Sequence, residues 1–229
     1  MRQLLPSYLD PVDPLAVYGD PPVADGRPGI RFNMIASVDG ATAVDGVAGG
    51  LANKADQDLF HLLRSLADVV LVAAGTVRAE GYGPSRVPIA VVTRSCNLDW
   101  ESRFFTAQNA RPVVVTVATA PAEARARAAE VADVVVAGER DVDLPSAVDA
   151  LGERGWRKVL CEGGPTLNGQ LAAAGLLDEL CLTLSPLLVG GDAKRLLAGE
   201  LTEGDAILVD TDGDRLTFTR LQPAAVATR

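Results

Sequence analysis

The sequence holds one histidine, three cysteines and only 4% aromatic residues, and each shortage removes a class of function. With His61 alone, and no G-x-S-x-G turn, a histidine-based hydrolytic triad has no support. Cys96, Cys161 and Cys181 form no C-x-x-C pair, so a zinc ribbon, a thioredoxin-type motif and a disulfide framework all lack their spacing. All three are expected to be reduced core residues, and no metal site is expected. Lysine and arginine never run beyond two in a row, and 21 basic against 30 acidic residues leave a net charge of −9. That balance repels polyanions, so nucleic acid is not an expected partner. The longest apolar runs, such as residues 69–74 and 113–118, are strand-length and far short of the roughly 20 residues of a membrane helix. No apolar signal-peptide core follows Met1, so a cytoplasmic, non-membrane protein is expected. Neither G-x-G-x-x-G after the first strand nor G-x-x-x-x-G-K-[ST] is present, which leaves the usual Rossmann and P-loop routes to phosphate unsupported.

What is present is an alternation of short apolar runs with helical patterns. Residues 1–29 carry Pro6, Pro11, Pro14, Pro21, Pro22 and Pro28, which suggests a segment lying across the surface of a single domain at 30–229. Strands are predicted at 30–37, 69–73, 89–93, 113–117, 134–137, 158–162 and 180–185. Leu59, Leu62, Leu63 and Leu66 recur at helical spacing behind Asn53 as N-cap, predicting a helix at 54–66. Further helices are predicted at 121–131 and 145–154, each with proline near its start, and another between Gly164 and Gly175. The tail reads as a hairpin, 206–210 and 215–221, around the turn 211–214. The fold class is therefore α/β: a mixed, mostly parallel sheet with helices on both faces and a C-terminal antiparallel hairpin.

In such sheets ligands bind beyond the carboxyl ends of the strands. Four places there carry polar chemistry. Ser37-Val38-Asp39-Gly40 offers a hydroxyl and a carboxylate, although Asp-Gly is also an ordinary turn former. Gly75-Thr76 allows close backbone approach and offers a hydroxyl to a phosphate or ribose, or is a simple glycine turn. Thr93-Arg94-Ser95 suits a phosphate monoester such as the 2′-phosphate of an NADP ribose, or is a solvated surface arginine. The strongest is Glu162-Gly163-Gly164-Pro165-Thr166-Leu167, where two glycines put bare N–H groups at a helix N-terminus and so favour a diphosphate.

In this order the four patches resemble the reductase domain of the riboflavin-biosynthesis pyrimidine deaminase/reductase family, which has a dihydrofolate-reductase-like fold. The resemblance runs from about Arg31 to Leu221 and is carried further by Leu63-Arg64-Ser65-Leu66-Ala67-Asp68, Gly75-Thr76-Val77, Gly175-Leu176-Leu177-Asp178-Glu179-Leu180, Ser185-Pro186 and Gly190-Gly191. It implies NADPH binding by Ser37, Asn53, Thr76, Glu80 and Ser95 and by the backbone of Gly164 through Gln170, with Gly163 shaping the loop. To these we add Gly75 and, for the 2′-phosphate, Arg94. The implied reaction delivers hydride to C1 of a ribosylamine imine, converting an aminopyrimidinone ribosylamine phosphate to its ribityl form. Glu162 and Arg64 take the family's substrate-side positions, with Asn33 and Leu51 as further substrate candidates, and Asp39 and Glu162 are the candidates for polarising or protonating the substrate.

The sequence departs from that pattern on the substrate side. Asn33 stands where members acting on the ribosyl phosphate carry lysine, and the run after Gly-Thr-Val keeps one acid, Glu80, with Arg86 further on. Neither H-x-E nor P-C-x-x-C of the companion deaminase occurs, so a standalone reductase domain is expected. The expected partner is a small pyrimidine or pterin-like substrate, and the resemblance implies a homodimer; apolar residues 180–189 and the hairpin read either as its interface or as an internal strand. Two alternatives stay open: a dihydrofolate-reductase-like enzyme acting on a pterin, and a non-catalytic NADPH-binding module.

Overall fold

The short valine-rich runs form the centre of a nine-stranded sheet in the order β5-β4-β3-β2-β6-β1-β7-β9-β8. In this computed structural model the described residues are 1–3, 7–22, 24–107, 109–199, 205–210 and 217–222, the last two stretches by backbone alone. The strands are β1 Gly29–Ser37, β2 Val69–Ala73, β3 Ile89–Val92, β4 Val113–Thr116, β5 Asp133–Val136, β6 Lys158–Cys161, β7 Glu179–Ser185, β8 Asp205–Asp210 and β9 Thr217–Gln222. The helices are α1 Pro14–Tyr18, α2 Lys54–Ser65, α3 Ala74–Glu80, α4 Arg103–Thr106, α5 Ala122–Val131, α6 Leu144–Gly152 and α7 Pro165–Ala173. β1 to β7 pair in parallel, and β9 joins β7 antiparallel. β8 then pairs with β9, giving the expected terminal strand pair; its turn, 211–214, lies outside the described residues.

Both faces of the parallel region are covered, so alternate residues of one strand enter different cores. Val70 and Val72 of β2, Ile89 and Val91 of β3 and Leu160 of β6 pack with α2, α3, α4 and α5. Val69, Leu71, Ala90, Val159 and Cys161 pack with α6 and α7 on the other side. α6 shows why its sequence folds: Asp143 accepts from the Ser146 N–H as N-cap, and Leu144, Ala147, Val148 and Leu151 form its buried stripe. Truncating the fully buried Leu151 to alanine costs about 2–5 kcal/mol. All three cysteines are free and buried, and burial pushes the Cys161 thiol up to about 12.

Three elements depart from expectation, and a fourth decides between two readings. Gly75 and Thr76 sit in the first turn of α3 rather than in a glycine loop, because Ala74 and Val77 have a core to enter. α4 forms around the buried pair Phe104 and Phe105. Within the proline-rich segment, Pro14 at the first turn and the Asp13 cap permit the single-turn α1, whose Tyr18 is buried in the main core. β7 is an interior strand between β1 and β9, so residues 180–185 cannot form an open interface edge; Leu187 and Leu188 beyond it are exposed. Among the described residues no helix is long and apolar enough to cross a membrane.

Candidate active site

Two adjoining cavities open at the carboxyl ends of β1, β2 and β6 and share Met34, Thr42, Ala48, Thr76, Glu80 and Glu162 in their walls. The larger, about 620 Å³, lies against the start of α7. Gly163 reaches that turn with φ +84, a conformation that glycine adopts without strain, and the Gly163–Gly164 peptide bond is cis. Gly164, Pro165, Thr166 and Leu167 then line the cavity opposite Gly75, Thr76 and Glu80 of α3. A Cβ on Gly164 would lie 2.9 Å from the Thr76 hydroxyl oxygen, so a side chain there would have to displace Thr76. The Thr166 and Leu167 N–H groups belong to the first turn of α7, where helix geometry provides no partner, and the helix dipole favours an anion there. These residues fit the diphosphate of a dinucleotide.

The smaller cavity, about 380 Å³, is bounded by a stripe of α2: Asp56, Phe60 and Arg64, at i, i+4 and i+8. Arg64 donates from Nε and Nη2 to the two carboxylate oxygens of Glu162, both at 2.7 Å, and the Tyr82 hydroxyl donates to Glu162 Oε2 at 2.5 Å. The guanidinium carbon lies 4.3 Å from the Phe60 ring centre and 5.3 Å from that of Tyr82. Burial alone would weaken the Arg64 charge, but the hydrogen bonds and field of Glu162 prevail and raise its pKa. Burial, and after it the Glu162 carboxylate, holds the Tyr82 phenol well above its ordinary range. Asp56 Oδ1 accepts from the Thr183 hydroxyl at 2.7 Å, and burial raises its pKa. Three acids, Asp56, Glu80 and Glu162, thus face this cavity, and among the described residues that line it Arg64 is the one cation.

Of the residues singled out in the sequence, Asn33, Arg64 and Glu162 meet at the smaller cavity, and Gly75, Thr76, Glu80 and Gly164 to Leu167 at the larger. Glu80 also accepts from the Ala48 N–H at 2.8 Å, pinning the 48–50 turn between the cavities. Asp39 is not brought to either. Its carboxylate accepts from the Ser37 hydroxyl at 2.5 Å and from the Val189 and Gly190 N–H groups, and its carbonyl accepts from Arg195. The Ser37 hydroxyl and then the two N–H groups hold its pKa down at about 2. Asp39 is therefore a clasp for the loop whose Val189, Asp192, Ala193 and Lys194 wall the larger cavity, and Ser37 is buried beneath it, its hydroxyl oxygen accepting from the Ala41 N–H. Asn53 caps α2 by accepting from the Asp56 N–H, and Leu51 is buried outside both linings. Gly163 shapes the turn without lining it. Arg94 and Ser95 sit exposed beyond β3, with Arg94 paired to Asp141 at 2.9 Å.

Sequence reasoning missed Tyr82, Phe60 and Asp56. The available signal was the spacing of Asp56, Phe60 and Arg64 on one stripe of α2, beside the leucine stripe that enters the core.

Residues 28–223 match the RibD C-terminal domain. The chain is 31% identical over 189 residues to the 2,5-diamino-6-ribosylamino-4(3H)-pyrimidinone 5′-phosphate reductase of Methanothermobacter thermautotrophicus, covering 76% of this chain and 85% of that one. A crystal structure of a pyrimidine reductase-like protein from Corynebacterium diphtheriae superposes with TM-score 0.79 at 26% identity, covering 93% of this chain and 98% of that one. Dihydrofolate reductase from Enterococcus faecalis, complexed with NADP(H), shares the fold at TM-score 0.53 and 11% identity, covering 86% and 97% of the two chains.

Proposed function

We infer the reaction from one premise: the chain belongs to the RibD C-terminal domain family and is an oxidoreductase of the pyrimidine reductase kind. Its reaction is the NADPH-dependent reduction of an aminopyrimidinone ribosylamine phosphate to the ribityl product. The observation that carries this reading is the close approach of the Gly164 backbone to Thr76 between α3 and α7, in a cavity that opens beside the Arg64–Glu162–Tyr82 cluster. NADPH, when bound, supplies a hydride. The N–H groups of Thr166 and Leu167 would hold its diphosphate, Thr76 and Glu80 would contact the rest of the nucleotide from the other wall, and Arg94 with Ser95, exposed beyond β3, would receive the 2′-phosphate.

The rest of the chemistry falls to the smaller cavity. Glu162 already takes three hydrogen bonds, so it serves as an acceptor: it orients substrate N–H or hydroxyl groups and stabilises the positive charge of the protonated ribosylamine imine. That charge makes C1 the electrophile, and the proton on nitrogen is in place before C1 is reduced. Arg64 and Tyr82 fix the carboxylate, and Phe60 holds the Arg64 plane. The protein works as a homodimer in the cytoplasm, a state that light scattering reads directly.

A second reading, reduction of a dihydropterin, is favoured by the charge of the smaller cavity. Arg64 is committed to Glu162, and Asn33 replaces the lysine expected for a phosphate, so the described lining offers a phosphoester no free cation. Oxidation of NADPH with 2,5-diamino-6-ribosylamino-4(3H)-pyrimidinone 5′-phosphate is the test of the first reading. No turnover of that compound alongside rapid turnover of dihydrofolate would establish the second.

A further inference from the structure

The larger cavity carries a charge imbalance. Asp45, Glu80, Glu162 and Asp192 line it, and among its described lining residues Lys194 is the one cation. The start of α7 offers about half an elementary positive charge against those acids, too little by itself for a diphosphate. Other cations near the carboxyl ends of the strands are committed: Arg64 to Glu162, Arg94 to Asp141 and Arg195 to the Asp39 carbonyl. The Lys194 ammonium forms no ion pair with a described residue.

The Lys194 side chain is exposed, but its backbone is fixed. Its carbonyl accepts from both the N–H and the hydroxyl of Thr42, at 3.1 and 2.9 Å. Before it, Asp39 holds the Val189 and Gly190 N–H groups. After it, the buried Asn168 of α7 donates from Nδ2 to the Leu196 carbonyl at 3.2 Å, and the Ala198 N–H donates to the Pro165 carbonyl at 3.0 Å. The segment lies so close to α7 that a Cβ on Gly169 would come within 1.8 Å of the Ala198 carbonyl oxygen. Lys194 is thereby set in the wall that also holds Thr166 and Leu167. None of these ties uses its side chain, so the fold at this point has no need of a lysine. A cation placed by its backbone and left unpaired in an acidic wall is arranged for an anionic ligand.

We propose that Lys194 is the anion-binding side chain of the larger cavity, its ammonium meeting phosphoryl oxygens seated at the start of α7. The inference rests on the reductase reading for its ligands and adds to it a residue on a segment 24 or more positions beyond the glycine turn. Two sources supply such oxygens. The NADPH diphosphate is favoured by the wall shared with Thr166 and Leu167; a substrate phosphoester would arrive past Thr42, which lines both cavities.

Calorimetric titration with NADPH, without substrate, is the first arm of the test. Lys194→Met is expected to raise Kd by about 10-fold, the scale of one hydrogen bond to a charged group, and to make Kd less dependent on KCl concentration. Lys194→Arg keeps the charge and is expected to stay within about three-fold of wild type. Melting temperature is expected to be unchanged in both, since the carbonyl bonded to Thr42 remains. Arg127→Met removes the same charge from α5, away from both cavities, and is expected to leave Kd and its salt dependence in place. The second arm compares KM for the ribosylamine phosphate and for its dephosphorylated form at saturating NADPH. An unaltered Kd with KM raised for the phosphorylated compound alone assigns Lys194 to the substrate ester. Unaltered Kd and KM in Lys194→Met, or an equal change in Arg127→Met, overturns the proposal. The binding arm needs no turnover: a Lys194-dependent Kd without NADPH oxidation by any substrate removes the reductase and leaves the anion site standing, whereas normal turnover with Kd and KM unaltered in Lys194→Met does the reverse.

Discussion

Among the described residues two buried arginine–glutamate pairs stand out, and they do opposite work. Arg31 and Glu179 meet at 3.0 Å on the neighbouring strands β1 and β7, with side chains 3% and 0% exposed, and Arg31 also donates to the carbonyls of Tyr18 and Asp20. This pair is sealed and ties the N-terminal segment to the sheet. Arg64 and Glu162 meet at 2.7 Å between α2 and the end of β6, but a cavity runs along them and Tyr82 completes the group. Burying either pair costs desolvation. Only the second keeps a face toward a cavity, which is what separates the two pairs of the same residues.

Substitution at each glutamate gives the sharpest contrast. Glu162→Gln is expected to lower kcat by about 100- to 1000-fold, the scale set by removing one preorganised charge-stabilising group, with a smaller fall in the urea midpoint than Glu179→Gln because the cavity lets water reach Arg64. Glu179→Gln leaves a buried guanidinium without its counter-charge and is expected to cost about 3–5 kcal/mol of stability, while the fraction that remains folded turns over normally. Loss of activity in the second with unchanged stability would erase the distinction. Next in size, Gly164→Val is expected to raise the Kd for NADPH by about 100-fold or more, since its side chain would occupy the passage to Thr76. Titration of tryptophan fluorescence with NADPH reads this without turnover.

Tyr82→Phe removes one of three donors to Glu162 and is expected to reduce kcat by about 10-fold with NADPH affinity unaltered, the size of a hydrogen bond to a charged group. Arg94→Ala breaks an exposed pair and is expected to leave stability in place and narrow the NADPH over NADH preference by about 10-fold. The smallest effect lies at the loop clasp. Because the folded protein holds Asp39 at about 2, below the ordinary carboxylate range, its stabilising contribution is present above about pH 4 and fades as pH falls toward 2. Asp39→Asn should therefore melt lower than wild type at pH 7, and the two proteins should converge near pH 2.

How much of this was legible beforehand depended on the range of the interactions involved. Seven strands, α2 and its Asn53 cap, and the glycine turn before α7 followed from local periodicity and from Gly163-Gly164-Pro165. Asp39 shows the limit. A carboxylate two residues beyond a strand serine read either as a chemical group or as a turn former, but its partners Val189 and Gly190 lie about 150 residues away, and they turn it into a loop anchor. Leu51 likewise looked available until the fold buried it. Tyr82, Phe60 and Asp56 had ordinary local readings, and they became site residues only because α2 sets its second stripe against the end of β1 and the start of the 81–84 segment.

From the sequence alone came the alternation of strand and helix, the two-sided burial of valine-rich strands and the helix start with exposed backbone N–H groups, because each depends on neighbours within a few residues. The tertiary structure alone decided which acids face solvent, a loop or a cavity, since that follows from the orientation of whole helices and from partners such as Arg64 and Glu162, 98 residues apart, that no local pattern brings together.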